Sequence, residues 1–487
     1  MTSFEHPPYS DYDVVIGLEV HCQLLTTHKL FSAAANMTAD AARPNQHVAH
    51  FEQALPGQLP VLNPEAVKLA VTAGLALDCH VNLTSVFERK HYFYPDLPKG
   101  YQITQQARPV CAQGQLSIPD SNVSVRIARI QIEEDAAKST HDDRRGRRID
   151  LNRASVPLIE IVTEPDMSSA DEAVEFLKEL HLIVRTLQVC SGNMEDGAFR
   201  CDANVSVKKR GSSSLGERCE LKNINSFKFI RDAIEFEARR QIDILEAGGR
   251  ITMQTRSYDA ALGQTTLMRD KENAPDYRFM PEPDLPALTL STAYVEELRA
   301  HLPELPAARR VRYVRQLGLS HQDTSIISSN LALASYFDQA SALCASPQTL
   351  ANWVLNEMTL VLSEQGASFE SCPVSPAYMA RFADLVSEDV INSKLAKKLL
   401  RLMVKHPECT PEHLLEAHHL VVIRDEDVLQ ALVSQVIEGN SVQVAQYRAG
   451  KEALLGYFVG QLMKLSQGKA DPVVGKALLM KELTTLD

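Results

Sequence analysis

The chain has 487 residues, enough for about three domains, and its 45% apolar and 23% charged content is ordinary for a globular protein with a sizeable core. A net charge of −12, from 50 Lys and Arg against 62 Asp and Glu, argues against indiscriminate polyanion binding as the main task and leaves room for a local basic patch. No apolar run reaches about 18 residues, so no membrane span is expected, and nine scattered cysteines without a Cys-x-x-Cys argue against a disulfide framework or a zinc knot.

The opening residues, MTSFEHPPYSDYD, have neither the apolar core of a secretion signal nor the Arg-rich character of a transit peptide, so a cytoplasmic protein with reduced thiols is expected. The first strand signal is VVIGLEVHCQL (14–24). Side chains two apart share a strand face, which puts Glu19, His21 and Gln23 opposite Val14, Ile16, Leu18 and Val20. Asn63-Pro64-Glu65 then caps a helix running through VKLAVTAGLAL.

Residues 90–102, KHYFYPDLPKGYQ, gather Tyr92, Phe93, Tyr94 and Tyr101 with Lys90 and Lys99 in a chain that is only 6% aromatic. One reading is a strand with core-facing rings and a proline turn. The other is a wall for a phosphate-bearing ligand, with lysine charges, stacking faces and a close backbone approach at Gly100. VRIARIQIEEDAAKSTH (125–141) and SVPLIEIVTEPD (155–166) place Glu133, Glu134, Asp135, Glu160 and Glu164 beside strongly apolar residues, where a carboxylate is costly unless paired or metal-bound.

Helices are expected at 168–189, with Val174, Leu177, Leu180, Val184 and Leu187 on one stripe, and at 225–249, opening on Asn225-Ser226 and stopping at Gly248-Gly249. Between them, FRCDANVSV (199–207) alternates apolar residues with Arg200, Asp202, Asn204 and Ser206, and RCELK (218–222) leaves Arg218, Glu220 and Lys222 together. An antiparallel sheet with one solvated face, laced by ordinary salt bridges, accounts for this pattern. So does a site for a hard, oxygen-preferring ion such as Mg²⁺, which usually accompanies phosphates.

Residues 254–286 interleave Arg256, Arg269, Lys271 and Arg278 with Tyr258 and Tyr277, suiting either a charged surface hairpin or a loop that holds an RNA end. PEPDLPAL (281–288) reads as a linker. Beyond it the pattern is helical, with a second break near His406–Pro411. The expectation is therefore α+β: a β-rich cradle with inserted helices over 1–290, an all-helical domain over 291–408 and a small helical tail over 409–487. Neither a phosphate-binding G-x-x-x-x-G-K-[ST] loop nor a dinucleotide G-x-G-x-x-G nor a G-x-S-x-G elbow is present.

Taken together, VIGLEVHCQL, FERKHYFYPDLPKGYQITQQ, IQIEEDAAKSTH, IDLNRASVPLIEIVTEPDM, MEDGAFRCDANVSV, ELKNINSFKFI and TRSYDAALGQTTLMRDKENAPDYRFMPEPDLP resemble the GatB family, the B subunits of aspartyl/glutamyl-tRNA(Asn/Gln) amidotransferases. The closing GKADPVVGKALLMKEL is similar to that family's YqeY-like domain. The resemblance implies an enzyme that uses ATP and Mg²⁺ to activate the side-chain carboxylate of glutamate or aspartate mischarged on tRNA, for amidation by ammonia. It implies a heterotrimer with an A subunit, the amidase that frees the ammonia, and a small C subunit. The tail would bind tRNA; no DNA and no membrane enter.

By the same resemblance His21, Glu134 and Glu160 form the magnesium site, with Glu19 and Asp202 serving a second ion or the ammonia path. Glu160, Lys90 and Lys99 take catalytic roles. Tyr92, Tyr94, Tyr101, Arg256, Arg269, Lys271 and Arg278 bind ATP or the aminoacyl end. The rivals are a noncatalytic tRNA-binding scaffold in the same complex and a glutamine hydrolase, for which no nucleophile–base motif is evident.

Overall fold

The computed structural model describes residues 8–37, 43–119, 121, 123–142, 146–270 and 277–484. Two compact units divide the chain at Ala307/Ala308.

The first unit is built on strands β1 (Tyr12–Gln23), β2 (His80–Val81), β3 (Thr84–Ser85), β4 (Glu88–His91), β5 (Tyr101–Thr104), β6 (Cys111–Ser117), β7 (Ser124–Glu134), β8 (Lys138–Asp142), β9 (Gly146–Asp150), β10 (Pro157–Thr163), β11 (Phe199–Lys209), β12 (Cys219–Lys222), β13 (Gln254–Asp259), β14 (Gln264–Asp270), β15 (Met280–Pro281) and β16 (Leu288–Thr289). Its helices are α1 (Pro64–Ala76), α2 (Ala170–Thr186), α3 (Phe227–Glu246) and α4 (Thr292–Ala300). A nine-stranded sheet runs in the order β14-β13-β12-β11-β1-β10-β7-β6-β2, with β1 at its centre, antiparallel to both β10 and β11.

Local chemistry sets the helix starts. The Asn63 side chain accepts from the Glu65 amide with Pro64 in the first turn, the Ser169 hydroxyl accepts from the Glu172 amide, and the Ser226 hydroxyl accepts from the Phe229 amide. α3 stops where Gly248 turns to φ 77°, a conformation glycine adopts without a Cβ penalty. The apolar face of the sheet, including Ile16, Leu18, Val20 and Cys22 of β1, joins α1, α2 and α3 in one buried core. The other face carries the polar set.

The run 281–288 differs from the linker expected of it. Its Glu282 is buried and takes two 2.8 Å bonds from Arg89, while β16 pairs with β3. Three prolines do preclude helix, yet this edge segment is pinned by a buried ion pair. Val295 and Leu298 of α4 belong to the first core, so that unit continues past residue 290.

The second unit is helical. One core runs from Tyr313 to Leu420 and takes in Leu414 and Leu415, so residues just past the expected boundary at 408/409 pack with the helices before them. A smaller core begins at Leu429 and collects Val433, Phe458, Leu462 and Leu479. Inside this unit the Asn392 amide donates to the Gly468 carbonyl at 2.8 Å and ties the two cores. Among the described residues no helix is long and apolar enough to cross a membrane.

Candidate active site

The polar face of the sheet opens into a cleft of about 530 Å³. Its floor is set by register: His21 of β1 lies between Glu160 of β10 and Arg200 of β11. His21 Nε2 stands 3.3 Å from Glu133 Oε1 and 3.7 Å from Glu160 Oε2. Neutral donors brace these carboxylates. Gln131 donates to Glu160 at 2.8 Å, and the Thr104 hydroxyl donates to Glu133 at 3.2 Å.

Charge coupling follows from this closeness. Burial alone would push the His21 imidazole down, but the Glu133 hydrogen bond and the Glu160 charge lift it to about 9. Burial and the neighbouring Glu133 charge raise the Glu160 carboxyl. Burial opposes ionisation of Glu133, yet contact with His21 and the charge of Lys90 hold it below the usual carboxylate range. Of the two carboxyls, Glu160 is therefore the one that keeps a proton longer.

Glu134 was expected beside His21 and lies elsewhere. Ile130 and Ile132 turn to the core, so period-two alternation sends Glu134 with them and leaves Gln131 and Glu133 on the polar face. Glu134 instead takes two 2.6 Å bonds from Lys99 and one from the Ile103 amide. Lys99 also lies 4.3 Å from the Phe51 ring centroid. Glu133, not Glu134, therefore lies with His21 and Glu160 within metal-ligand reach, and Lys99 is not among the residues that line the cleft.

Glu19 and Asp202 meet in a second cluster with Glu220. Lys222 reaches into it, 2.5 Å from Asp202 and 3.2 Å from Glu220, and Asn204 donates to Glu19 at 2.9 Å. Burial opposes the Lys222 charge, but the two carboxylates outweigh it and raise the ammonium above its ordinary value.

Lys90 and Tyr92 line the cleft, and the Lys90 ammonium lies 5.0 Å from the Tyr277 ring centroid. Tyr94 is exposed, edge-on to Tyr92. The KHYFYPDLPKGYQ loop closes through a bond from the Tyr92 amide to the Gly100 carbonyl, with Gly100 at φ 76°. Tyr101 is turned away, with Arg89 4.3 Å from its ring centroid.

Arg256, expected to bind ATP or the aminoacyl end, is not among the residues that line the cleft. It bonds to Gln254 and Thr265 and lies 3.4 Å from the buried Glu237 of α3, which makes it part of the packing of β13 on that helix. The Arg278 carbonyl meets His91 Nδ1 at 2.9 Å. The Arg269 side chain and all of Lys271 lie outside the described residues.

Sequence reasoning passed over Arg200. It lines the cleft and is held by Asp135 at 3.1 Å, and Asp135 is itself bonded by Gln23. Its Nε is buried without a hydrogen-bond partner among the described residues, a donor that an anionic ligand would satisfy. The alternation of 199–207 had already placed it on the polar face; its pairing opposite His21 had not been legible. Together Lys90, Arg200 and the carboxylate–imidazole cluster can bind an anion beside a cation.

Comparison with known proteins agrees with this architecture. Residues 14–296 match the family model of the GatB/GatE catalytic domain, and residues 335–483 match that of the GatB domain of YqeY type. The chain is 46% identical over 478 residues to the B subunit of the aspartyl/glutamyl-tRNA(Asn/Gln) amidotransferase of Geotalea uraniireducens (strain Rf4), covering 97% of this chain and 99% of that protein. Those of Geobacter sulfurreducens and Anaeromyxobacter sp. (strain K) are each 46% identical, over 479 and 484 residues, with 97% and 98% of this chain and 99% of each relative covered.

Proposed function

Because the chain belongs to the GatB family, the B subunits of aspartyl/glutamyl-tRNA(Asn/Gln) amidotransferases, we propose that its cleft activates the side-chain carboxylate of Glu-tRNA(Gln) or Asp-tRNA(Asn) with ATP for amidation. The observation that carries this reading is the convergence of His21, Glu133 and Glu160 with Lys90 and Arg200 on one polar sheet face. In the first step a side-chain carboxylate oxygen bonds to the γ-phosphorus while the bond to the ADP oxygen breaks. In the second, ammonia nitrogen bonds to the acyl carbon, phosphate leaves and the nitrogen gives up a proton.

The donor set fits Mg²⁺: two carboxylate oxygens and one imidazole nitrogen, all within 4.8 Å of one another, with Gln131 and Thr104 fixing the carboxylates from behind. When bound, such an ion neutralises phosphate charge. The chain's own part is to hold anionic oxygens with Lys90 and the unpartnered Arg200 Nε, and to orient the acyl group along the Tyr92 wall. The amidase, or A, component would supply the ammonia, and a small C component would complete a cytoplasmic heterotrimer.

The test is amidation of Glu-tRNA(Gln), and then Asp-tRNA(Asn), by the assembled complex with ammonium chloride replacing glutamine. ATP- and Mg²⁺-dependent product that disappears with His21→Ala or Glu160→Ala supports the reading. Normal turnover in both variants would overturn it and favour a tRNA-binding scaffold.

A further inference from the structure

Between the cleft strands β7 and β10 the chain makes an excursion, the two-stranded ribbon β8–β9. Ala136, two residues before the ribbon, lines the cleft, and β8 begins at Lys138. Its five residues at about 3.4 Å each make the strand roughly 17 Å long. Lys138, Thr140, Arg147 and Arg148 are all exposed.

A lone two-stranded ribbon is marginal in water, and this one is anchored at its base. Arg153 donates to the Ala136 carbonyl at 2.8 Å and to the Ala137 carbonyl at 3.0 Å. Asp150 accepts from the Asn45 and Asn152 amides at 2.9 and 3.0 Å. The only carboxylate with described contacts in the ribbon is thus turned to its base. By sequence, residues 138–150 hold five Lys and Arg against three Asp, in a chain of net charge −12.

An exposed basic ribbon that begins two residues from a cleft wall is placed to meet a polyanion next to that cleft. We infer that β8–β9 contacts the phosphate backbone of the RNA whose aminoacyl end enters the cleft, through Lys138 and Arg147. This rests on the amidation reading. Phosphate contacts position a nucleic acid without reading its sequence, so the ribbon sets where the acceptor end lies.

The experiment measures equilibrium binding of unacylated tRNA to the assembled complex across salt concentrations, comparing wild type with Lys138→Ala/Arg147→Ala. Losing two phosphate contacts should flatten the slope of log K against log salt by about 1.4 to 1.8 and weaken binding roughly tenfold or more at 0.1 M salt. The charge-keeping Lys138→Arg/Arg147→Lys variant should restore both. An unchanged slope and affinity would overturn the inference, as would a loss that the charge-keeping variant fails to restore. Wild-type complex that binds tRNA with a ribbon-dependent slope but forms no amidated product would sink the amidation reading alone.

Discussion

Two carboxylate clusters share one face of the sheet, and they differ in what neutralises them. Around His21, the Glu133 and Glu160 carboxyls meet an imidazole and neutral Gln131 and Thr104 donors. Around Glu19, the Asp202 and Glu220 carboxylates already hold the Lys222 ammonium. The first cluster's cation is an imidazolium, which can give up its proton to an incoming ion; the second's is the Lys222 ammonium. A group of acids with metal-ligand spacing is thus not equivalent to a metal site, because a lysine at 2.5 to 3.2 Å does the same electrostatic work.

The sharpest way to break this comparison is Glu133→Gln. It keeps shape but removes one charge from the open cluster, and ammonium-dependent amidation should fall at least about a hundredfold. Asp202→Asn, which touches the lysine-filled cluster, should cost less. Equal losses in the two variants would erase the distinction.

Lys222→Met reverses the second cluster. Three clustered carboxylates lose their cation, so stability should drop by about 1–3 kcal/mol, and millimolar Mg²⁺ or Mn²⁺ should recover part of it by mass action. Thermal denaturation with and without the ion reads this. Wild type should gain less from the ion at this site.

Proton release is a finer probe. With His21 lifted to about 9, its ring is protonated at neutral pH in the ion-free protein, and a ligating imidazole must be neutral. Ion binding at pH 7.5 should therefore release close to one proton, and apparent affinity should rise with pH up to about 9. Titration calorimetry in two buffers of different ionisation enthalpy measures it, and His21→Ala should abolish the release.

A last effect, on stability alone, concerns a cation with no carboxylate bond. Lys29 is fully buried, and its ammonium donates to the Leu151 carbonyl at 3.1 Å. Burial pushes it down from 10.5 to about 8. Between those values the unfolded chain binds more protons than the folded one. Stability should then rise with pH across that window, by up to roughly 3 kcal/mol, and Lys29→Met should remove the rise. Denaturant titrations at pH 7.5 and 10 compare the two.

Much of this was legible from local chemistry. Asn63, Ser169 and Ser226 announce their helices because a side-chain acceptor beside an apolar stripe is a local signal. Alternation in β1 put Glu19, His21 and Gln23 on the face away from the core. The same rule, applied from Ile130 and Ile132, would have chosen Glu133 over Glu134. Arg256 was harder: nothing near it in sequence reveals that Glu237, on a helix, is buried against it.

The sequence by itself determined the family, the mixed sheet-then-helix order and the face on which each strand carries its polar residues. These depend on residue type and on a period of two or 3.6. Only the tertiary structure decided which acids meet His21, that Lys222 fills the neighbouring cluster, that Lys99 belongs to Glu134, and that Glu282 fastens the proline-rich run. Those pairings join residues 20 to 193 positions apart. Strand register and side-chain reach fix them, and neither is written in the order of residues along one strand.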